Sequence, residues 1–206
     1  MPHPSKWDVR YGQDDFAYGT EPNTFLKDQG KRLFSFESKN KKKALCLADG
    51  EGRNGVFLAK LGFDVTAVDN SSVGLEKAKK WAKKNGVSLT TVCEDLATYD
   101  LGKKSWDLIV SIFCHIPPEI RKPMHAQIYN ALKPGGIFLL EAYTPDQLKK
   151  ETGGPPSVEL MMDKNLLQKE LVGLSFELLQ ELERDVSEGW LHTGVGAVVQ
   201  VIGRRP

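Results

Sequence analysis

Residues 44–55 read Ala-Leu-Cys-Leu-Ala-Asp-Gly-Glu-Gly-Arg-Asn-Gly, and the interpretation of the whole chain starts from this stretch. Its first five residues form a short apolar run, which indicates a buried strand. Gly50 and Gly52 follow, and glycine permits tight turns and a close approach of the backbone to a ligand. Residues 56–59 then resume an apolar pattern at helical spacing. The stretch therefore predicts a strand, a glycine loop and a helix in succession.

The loop also matches the pattern G-x-G-x-x-G, and Asp69 ends the next apolar run 19 residues after Gly50. On spacing alone this is a dinucleotide fingerprint, so one interpretation is an NAD(P)-dependent oxidoreductase. Asp49 and Glu51 oppose it, because their carboxylates would flank a doubly charged pyrophosphate at the helix N-terminus. They favour a ligand that carries a sulfonium cation and an ammonium group. S-adenosyl-L-methionine is such a ligand.

Length, composition and cysteine usage predict one cytoplasmic domain. The 206 residues are 40% hydrophobic and 27% charged, and the net charge of +1 provides no overall attraction to nucleic acid or anionic membrane. Cys46, Cys93 and Cys114 are too few for a disulfide framework, which favours a reducing compartment. The N-terminus lacks the apolar core of a signal peptide, and the four histidines show no metal-ligand spacing. The lysine-rich residues 39–43 are interpreted as a solvated entrance to the first strand.

Strand and helix patterns alternate between residues 44 and 143. Alternation of this kind predicts a parallel, doubly wound sheet with right-handed crossovers. Two later alternating runs, 175–186 and 194–202, have no helix between them and predict a hairpin with at least one strand antiparallel to the sheet. The predicted fold class is α/β, with a mostly parallel seven-stranded sheet and a C-terminal antiparallel hairpin. The first five strands are expected at residues 44–48, 63–68, 89–93, 106–113 and 137–143, with helices from residue 56, from Ser71 or Ser72 to Gly86, and over residues 118–132.

Three further segments lie outside this alternation. Residues 7–23 are aromatic and polar without a sustained period, so they either wrap a pocket or cover a surface. Thr24 is expected to cap a helix that buries Phe25, Leu26, Leu33 and Phe34. The connection over residues 144–157 contains Gly-Gly-Pro-Pro, and long loops within compact domains are commonly functional lids. A helix is expected around residues 163–172.

Together these features resemble class I S-adenosylmethionine-dependent methyltransferases over nearly the whole chain. The order matches that family: glycine loop, acidic end of the second strand, Asp-Leu after the third strand, Lys-Pro-Gly-Gly before the fifth, and a terminal hairpin. Within it, the chain is similar to the small tellurite-resistance TehB-like branch. The resemblance implies a single methyltransferase domain over residues 1–206, with a Rossmann-like fold, an N-terminal lid segment and helix at 1–40, and a lid-like loop at 144–160. The branch-like motifs are Tyr-Gly-Thr-Glu-Pro-Asn at 18–23, Gly-Glu-Gly-Arg-Asn at 50–54, Gly-Gly-Pro-Pro at 153–156 and Glu-Gly-Trp-Leu-His-Thr-Gly at 188–194.

The resemblance implies a set of cofactor-binding residues. Backbone N–H groups near Gly50 and Gly52 would receive the carboxylate of the cofactor at the helix start. Asp69 would accept bonds from two ribose hydroxyls. Asp95 would accept a bond from the adenine amino group, and the Leu96 N–H would point at a ring nitrogen. The full set is Tyr18, Ala48, Asp49, Gly50, Gly52, Arg53, Asn54, Asp69, Asn70, Asp95, Leu96 and Phe113.

Several members of this set have a second interpretation. The family usually has an acidic residue and a glycine where this chain has Cys46 and Ala48, and Asp49 either replaces the missing carboxylate in part or faces solvent. Arg53 either adds a cation for the cofactor carboxylate or lies on the surface, and Asn54 either caps the helix or lies on the surface. Tyr18, with Trp7 and Tyr11, either offers an aromatic face to the sulfonium or packs without a functional role.

No catalytic residue is assigned, because methyl transfer from a sulfonium needs alignment and desolvation rather than a covalent nucleophile. His115, next to Cys114, and His192 are candidates for a base or a substrate contact, and otherwise belong to a wall, a surface or a turn. His125 is interpreted as a solvated helix residue.

The expected function is methyl transfer to a small molecule, and the TehB-like resemblance implies a metalloid oxyanion or a thiol. Nucleic acid and membrane are not expected as partners. The alternatives are the oxidoreductase and an RNA-associated or non-catalytic cofactor-binding protein.

Overall fold

The computed structural model describes residues 5–33 and 41–206, and its centre is a seven-stranded mixed sheet. Its strands are β1 (Lys43–Leu47), β2 (Asp64–Asp69), β3 (Thr90–Cys93), β4 (Trp106–Ile112), β5 (Leu132–Tyr143), β6 (Ser175–Asp185) and β7 (Val195–Arg204). They lie in the order β3-β2-β1-β4-β5-β7-β6. The first five are parallel, and β7 runs antiparallel to both β5 and β6. The predicted fold class is therefore confirmed.

Helices connect β1 to β2, β2 to β3 and β4 to β5, whereas residues 94–105 join β3 to β4 without a helix. The helices are α1 (Lys6–Tyr11), α2 (Thr24–Leu33), α3 (Arg53–Lys60), α4 (Ser72–Lys84), α5 (Pro118–Ala131) and α6 (Lys164–Glu170), with 3-10 turns at Pro145–Lys149 and Val158–Leu160. Ser71 caps α4, because its hydroxyl accepts a hydrogen bond from the Gly74 N–H at 3.0 Å. The same helix ends at Lys84. Asn85 follows as its C-cap, and the next residue, Gly86, adopts a φ of 72°. No helix of the described residues is long and apolar enough to cross a membrane.

The apolar run of β1 is buried on both faces of the sheet. Leu45 and Leu47 pack into a cluster that also contains side chains of α5 and α6. Ala44 and Cys46 point to the opposite face, where α2 and α3 supply Phe25, Leu26 and Leu58. Strands covered on both faces lose the alternation of polar and apolar residues, which explains the continuous run. Burying a leucine such as Leu45 stabilises the fold by roughly 2 kcal/mol.

The N-terminal segment contains a helix that the sequence interpretation missed. A capping box starts α1: the Ser5 hydroxyl accepts from the Asp8 N–H, and the Asp8 carboxylate accepts from the Ser5 N–H. The Ser71 hydroxyl also donates to Asp8 at 2.6 Å, which holds α1 against the start of α4. Residues 7–23 therefore cover the edge of the sheet where the strands end.

Two predicted boundaries change. Asn23 rather than Thr24 caps α2, because its side-chain oxygen accepts from the Leu26 N–H at 3.0 Å. β5 starts at Leu132 rather than at residue 137, because Leu132 pairs with Trp106 across an irregularity in the register. Phe34 and residues 39–40 of the lysine-rich cluster lie outside the described residues.

The solvated interpretation of His125 is wrong. The residue is 2% exposed, and its Nδ1 lies 2.7 Å from the carboxylate of Glu170 in α6. Arg121 contacts the same carboxylate at 3.2 Å, so these side chains join α5 to α6.

Candidate ligand cavity at the carboxyl ends of the strands

A cavity of about 360 Å³ lies where β1, β2 and β4 end, beneath α1 and the Gly-Gly-Pro-Pro segment. Open α/β sheets bind their ligands at this edge. The structure brings ten of the twelve predicted cofactor residues to its lining, together with both candidate histidines. The ten are Tyr18, Ala48, Asp49, Arg53, Asn54, Asp69, Asn70, Asp95, Leu96 and Phe113.

Gly50 and Gly52, the other two members of the set, are not among the lining residues. Both have positive φ, at 56° and 86°. A Cβ on Gly50 would lie 2.5 Å from the hydroxyl of Tyr11, and one on Gly52 would lie 2.5 Å from the Cβ of Ala78. The structure therefore gives these glycines a role in turning the chain and in packing α1 and α4 against the loop.

Asp49 is buried, so the solvent-facing interpretation is wrong. Its two carboxylate oxygens lie 3.3 and 3.2 Å from the Gly55 N–H in the first turn of α3. A Cβ at position 55 would lie 2.5 Å from one of them, so glycine makes room for the carboxylate. Burial raises the pKa of Asp49 to about 7. The helix start that a pyrophosphate would need already holds an acidic side chain, which argues against a dinucleotide.

Asp69 is buried beside Asp49 and accepts two backbone hydrogen bonds. One oxygen accepts from the Gly50 N–H at 2.9 Å and the other from the Ser71 N–H at 2.8 Å. Burial raises the pKa of this carboxyl group as well. Neither aspartate makes an ion pair within the described chain, so a cationic ligand bound beside them would favour the ionised form of both carboxyl groups.

Glu51 differs from these two aspartates. Its carboxylate accepts from the Ala17 N–H at 2.8 Å and pairs with the Lys77 ammonium group at 2.5 Å. The charge of Glu51 is therefore compensated, and its contact with Ala17 fixes the N-terminal segment over the loop. Asp49, at the first turn of α3, therefore opposes a pyrophosphate more strongly than Glu51 does.

A buried ion network lies under the far end of the cavity. The Glu188 carboxylate is 2.6 Å from Arg53 and 2.7 Å from Arg184, and Arg184 also pairs with Glu141. The Asn23 amide donates to Glu141 at 2.8 Å and to Glu188 at 3.0 Å. Although burial raises the pKa of Glu188, the two arginines hold it below its usual range. We call these five residues the buried ion network.

The surface interpretations of Arg53 and Asn54 are both wrong, because both side chains are buried. Arg53 belongs to the buried ion network. The Asn54 side-chain oxygen accepts from the Asn23 N–H at 3.0 Å, so it ties α3 to α2 rather than capping its own helix. Cys46 packs in the apolar layer between the sheet and α3, and Ala48 adopts a φ of 51°.

Five rings form the end of the cavity nearest the buried ion network, and we call them the aromatic end. Ring centroids are 4.7 Å apart for Phe113 and Tyr143, 4.8 Å for Phe113 and His192, and 4.7 Å for Tyr18 and His192. His115 stacks on Tyr143 at 5.6 Å. Phe113 has a φ of 51°, an uncommon backbone conformation for a bulky residue. The sequence motifs at 18–23, 153–156 and 188–194 converge here.

The two candidate histidines have different surroundings. His115 Nδ1 lies 2.9 Å from the Leu160 carbonyl oxygen, which assigns the ring proton to Nδ1, and Nε2 accepts from the Tyr143 N–H at 3.3 Å. Burial lowers its pKa to about 4, so the ring is neutral and both nitrogens are engaged. His192 is 6% exposed, and its Nδ1 has no partner among the described residues. Burial, followed by the charge of Arg53, lowers its pKa to about 3.

Sequence reasoning missed Tyr143, which ends β5 and lines the cavity. Its position at the carboxyl end of a parallel strand was the available signal. Cys114 also lines the cavity, but burial raises its pKa to about 12 and keeps the thiol neutral. No group of three His, Cys, Asp or Glu side chains within residues 5–33 and 41–206 is arranged to hold a metal ion.

Residues 44–136 match the family model described as a methyltransferase domain. The chain is 35% identical over 100 residues to the uncharacterized methyltransferase YbaJ of Bacillus subtilis (strain 168), a match that covers 47% of this chain and 38% of YbaJ. It is 29% identical over 135 residues to a carboxy-S-adenosyl-L-methionine synthase of Nautilia profundicola, covering 63% of this chain and 55% of the synthase. The chain thus spans little more than a third to about half of the length of these relatives.

Solved structures show the same fold at low sequence identity. The N-methyltransferase NodS of Bradyrhizobium japonicum, in complex with S-adenosyl-L-homocysteine, gives a TM-score of 0.70 at 14% identity and covers 97% of this chain and 96% of NodS. TehB of Haemophilus influenzae gives 0.68 at 19% identity, covering 88% of this chain and 62% of TehB. The expected fold is confirmed, and the match over residues 44–136 supports the expected methyltransferase domain. The TehB-like branch stays a prediction.

Proposed function

We propose that this protein is an S-adenosylmethionine-dependent methyltransferase that acts on a small molecule. The observation that carries the proposal is the cavity itself, in which the carboxyl groups of Asp49 and Asp69 lie at one end and the aromatic end lies opposite. These carboxyl groups and aromatic rings suit a ligand that has two cationic groups, a ribose and an adenine. When bound, that ligand supplies an electrophilic methyl group on a sulfonium.

The lining residues support a division of tasks. Asp69 would hold the ribose, while Asp95 and the Leu96 N–H would hold the adenine. Arg53 would receive the carboxylate of the cofactor, and Gly50 and Gly52 would shape the loop beside it, because the Gly50 N–H already donates to Asp69. The remaining cofactor candidates, which are Tyr18, Ala48, Asn54, Asn70 and Phe113, would complete the walls.

We further propose that the chain acts as one domain with two covers, formed by residues 1–40 and 144–160. Trp7, Tyr11 and Tyr18 of the first cover line the cavity, as do Gly153 and Leu160 of the second. These covers exclude water from the methyl group, which strengthens the electrostatic interactions inside.

The likeness to TehB favours a metalloid oxyanion or a thiol as the acceptor, and the near-zero net charge favours small molecules over nucleic acid.

Calorimetric titration tests the cofactor. S-adenosylhomocysteine is expected to bind and NADH is not. Asp69→Ala should weaken binding at least tenfold, because a buried carboxylate that bonds ligand hydroxyls is lost. The matched control is Asp64→Ala, which removes an exposed aspartate at the opposite end of the same strand and should leave affinity within about twofold. Binding of NADH alone would establish the oxidoreductase alternative.

Transfer of labelled methyl groups tests the reaction. The panel contains tellurite, small thiols, small amines and total RNA. Labelling of a small molecule is expected. Labelling of RNA alone would favour the RNA-associated alternative, and cofactor binding without any labelling would favour a non-catalytic protein.

A further inference from the structure

The ring of Tyr143 is held in one position by two glycines. A Cβ on Gly154 would lie 3.1 Å from one edge of the ring, and a Cβ on Gly196 would lie 2.9 Å from the other. Phe113 and His115 stack against the same ring, with centroids at 4.7 and 5.6 Å. The direction of the Tyr143 hydroxyl is therefore fixed by packing before any ligand binds.

Two polar atoms beside this ring have no partner. Tyr143 is 0% exposed, and its Oη makes no hydrogen bond to any described residue. His192 is 6% exposed, and its Nδ1 is unpaired in the same way. The two rings are 5.5 Å apart at 85°, and both line the cavity. Buried polar atoms are almost always hydrogen-bonded, so an unpaired hydroxyl and an unpaired ring nitrogen on two neighbouring rings indicate a ligand-binding pair.

The charges below this pair balance. Arg53 and Arg184 supply two positive charges to the buried ion network, and Glu141 and Glu188 supply two negative ones. An oxyanion at the aromatic end would find each arginine already paired with a carboxylate of the protein, and Arg53 would in addition hold the carboxylate of the cofactor. A cation would find each carboxylate paired with an arginine. A charged acceptor would therefore lose its water without gaining a counter-ion from the buried ion network.

We infer that Tyr143 Oη and His192 Nδ1 bind the methyl acceptor, and that this acceptor is a small uncharged thiol rather than an oxyanion. The inference rests on the proposed function. A thiol suits the pair because its sulfur can accept from the Tyr143 hydroxyl while its S–H donates to Nδ1 of His192. Sulfur also makes favourable contacts with aromatic rings.

The chemistry favours a thiol over an alcohol as the uncharged acceptor. A thiol with an ordinary pKa near 8.5 loses its proton readily, whereas an alcohol would need a strong base that the described lining lacks. In the step, the acceptor sulfur forms a bond to the methyl carbon as the bond from that carbon to the sulfonium breaks, and the electron pair of the broken bond stays on the former sulfonium sulfur. The thiol proton leaves to solvent through His192 Nδ1. The products are a methyl thioether, S-adenosylhomocysteine and a proton.

Three thiols of similar size test whether the charge of the acceptor affects the rate, because all three carry the same reacting group. 2-Mercaptoethanol is uncharged, mercaptoacetate carries a carboxylate, and cysteamine carries an ammonium group. We expect kcat/KM for 2-mercaptoethanol to exceed the values for both charged thiols, and for tellurite, at least tenfold. A preference for tellurite or mercaptoacetate overturns the inference, and so does an equal rate for all three thiols.

Tyr143→Phe tests the hydroxyl. Removing an unpaired buried hydroxyl should leave the melting temperature of the free protein unchanged or higher, because no protein hydrogen bond is lost. The KM for 2-mercaptoethanol should rise about fivefold or more, and calorimetry with S-adenosylhomocysteine present should show the same loss of thiol affinity. Tyr99→Phe is the matched control, since Tyr99 is half-buried outside the cavity and should change neither quantity.

The results of these experiments distinguish failure of the acceptor assignment from failure of the cofactor assignment. A Tyr143→Phe protein with a lower melting temperature and an unchanged KM overturns the role of the hydroxyl. If S-adenosylhomocysteine binds but no thiol is methylated, the acceptor assignment is wrong and the cofactor assignment stands. If S-adenosylhomocysteine does not bind, the proposed function fails, and this inference fails with it.

Discussion

The carboxylate of Glu188 lies 2.6 Å from the guanidinium group of Arg53, and this ion pair joins the turn after β6 to the first turn of α3. The two side chains are only 6% and 9% exposed. The pair therefore connects the loop at the cofactor end of the cavity with the hairpin turn that carries His192. Breaking it leaves a buried charge without its partner.

Glu188→Gln should lower the free energy of unfolding by roughly 3 kcal/mol, because Arg53 then loses the carboxylate with which it pairs, whereas Arg184 keeps Glu141. A double-mutant cycle with Arg53→Gln, measured by urea denaturation, should give a coupling of roughly 1–3 kcal/mol. The exposed pair Glu76 and Lys79 is the control and should show no measurable coupling. Additive effects at Arg53 and Glu188 would contradict the structure.

Gly189→Ala should destabilise the protein more than Gly86→Ala. The two glycines have nearly the same φ, 74° and 72°, so the backbone cost of alanine is similar. A Cβ at position 189 would lie 2.5 Å from the backbone of Tyr18, whereas position 86 has no atom within 4 Å. We expect the difference in unfolding free energy to be roughly 2 kcal/mol, together with faster proteolysis of the N-terminal segment. Equal effects would mean that the hairpin turn does not hold Tyr18.

Asp49→Asn should change how stability depends on pH. Burial raises the pKa of Asp49 from 3.8 to about 7, so the folded state binds this proton more tightly than the unfolded state. Its contribution to the free energy of unfolding therefore falls as pH rises from about 4 to about 7. The unfolding free energy of the natural protein minus that of Asp49→Asn should be smaller at pH 8 than at pH 5. Denaturation curves across this range test the sign, and a difference that grows with pH refutes it.

Ala48→Gly should stabilise the free protein. Ala48 has a φ of 51°, a region that costs residues with a Cβ roughly 1–2 kcal/mol, and the greater freedom of glycine in the unfolded chain offsets part of the gain. The expected net increase in unfolding free energy is below about 1 kcal/mol. Lys104→Gly, at an exposed position with a φ of 49°, should act in the same direction. Loss of stability in both variants would show that these backbone conformations are not strained.

The sheet was predictable because its strands and helices have sequence signals that lie within the elements themselves or next to them. The apolar run before Asp49, the serine at the start of α4 and Asn85-Gly86 at its end are signals within a few residues of each other. The location of the cavity followed, since the carboxyl ends of parallel strands meet at one edge. The capping box of α1 was also visible in Ser5 and Asp8, but a six-residue helix has too little apolar period to be noticed.

Long-range partners were not predictable from single positions. His125 is buried because Glu170, 45 residues away, approaches it, and no local pattern contains that fact. The same holds for Arg53, whose partner Glu188 follows 135 residues later. Tyr143 was passed over because a strand-end tyrosine is an ordinary core residue until its unpaired hydroxyl is seen.

The position of β7 between β5 and β6 has a consequence for synthesis on the ribosome. β6 is made first, yet all of its sheet partners lie on β7, so it has no place to dock until residues up to 204 have emerged. The parallel strands that carry Asp49 and Asp69 can assemble earlier, whereas the hairpin turn with Glu188 and His192 must wait. A nascent chain would therefore acquire the cofactor half of its cavity before the half that we assign to the acceptor.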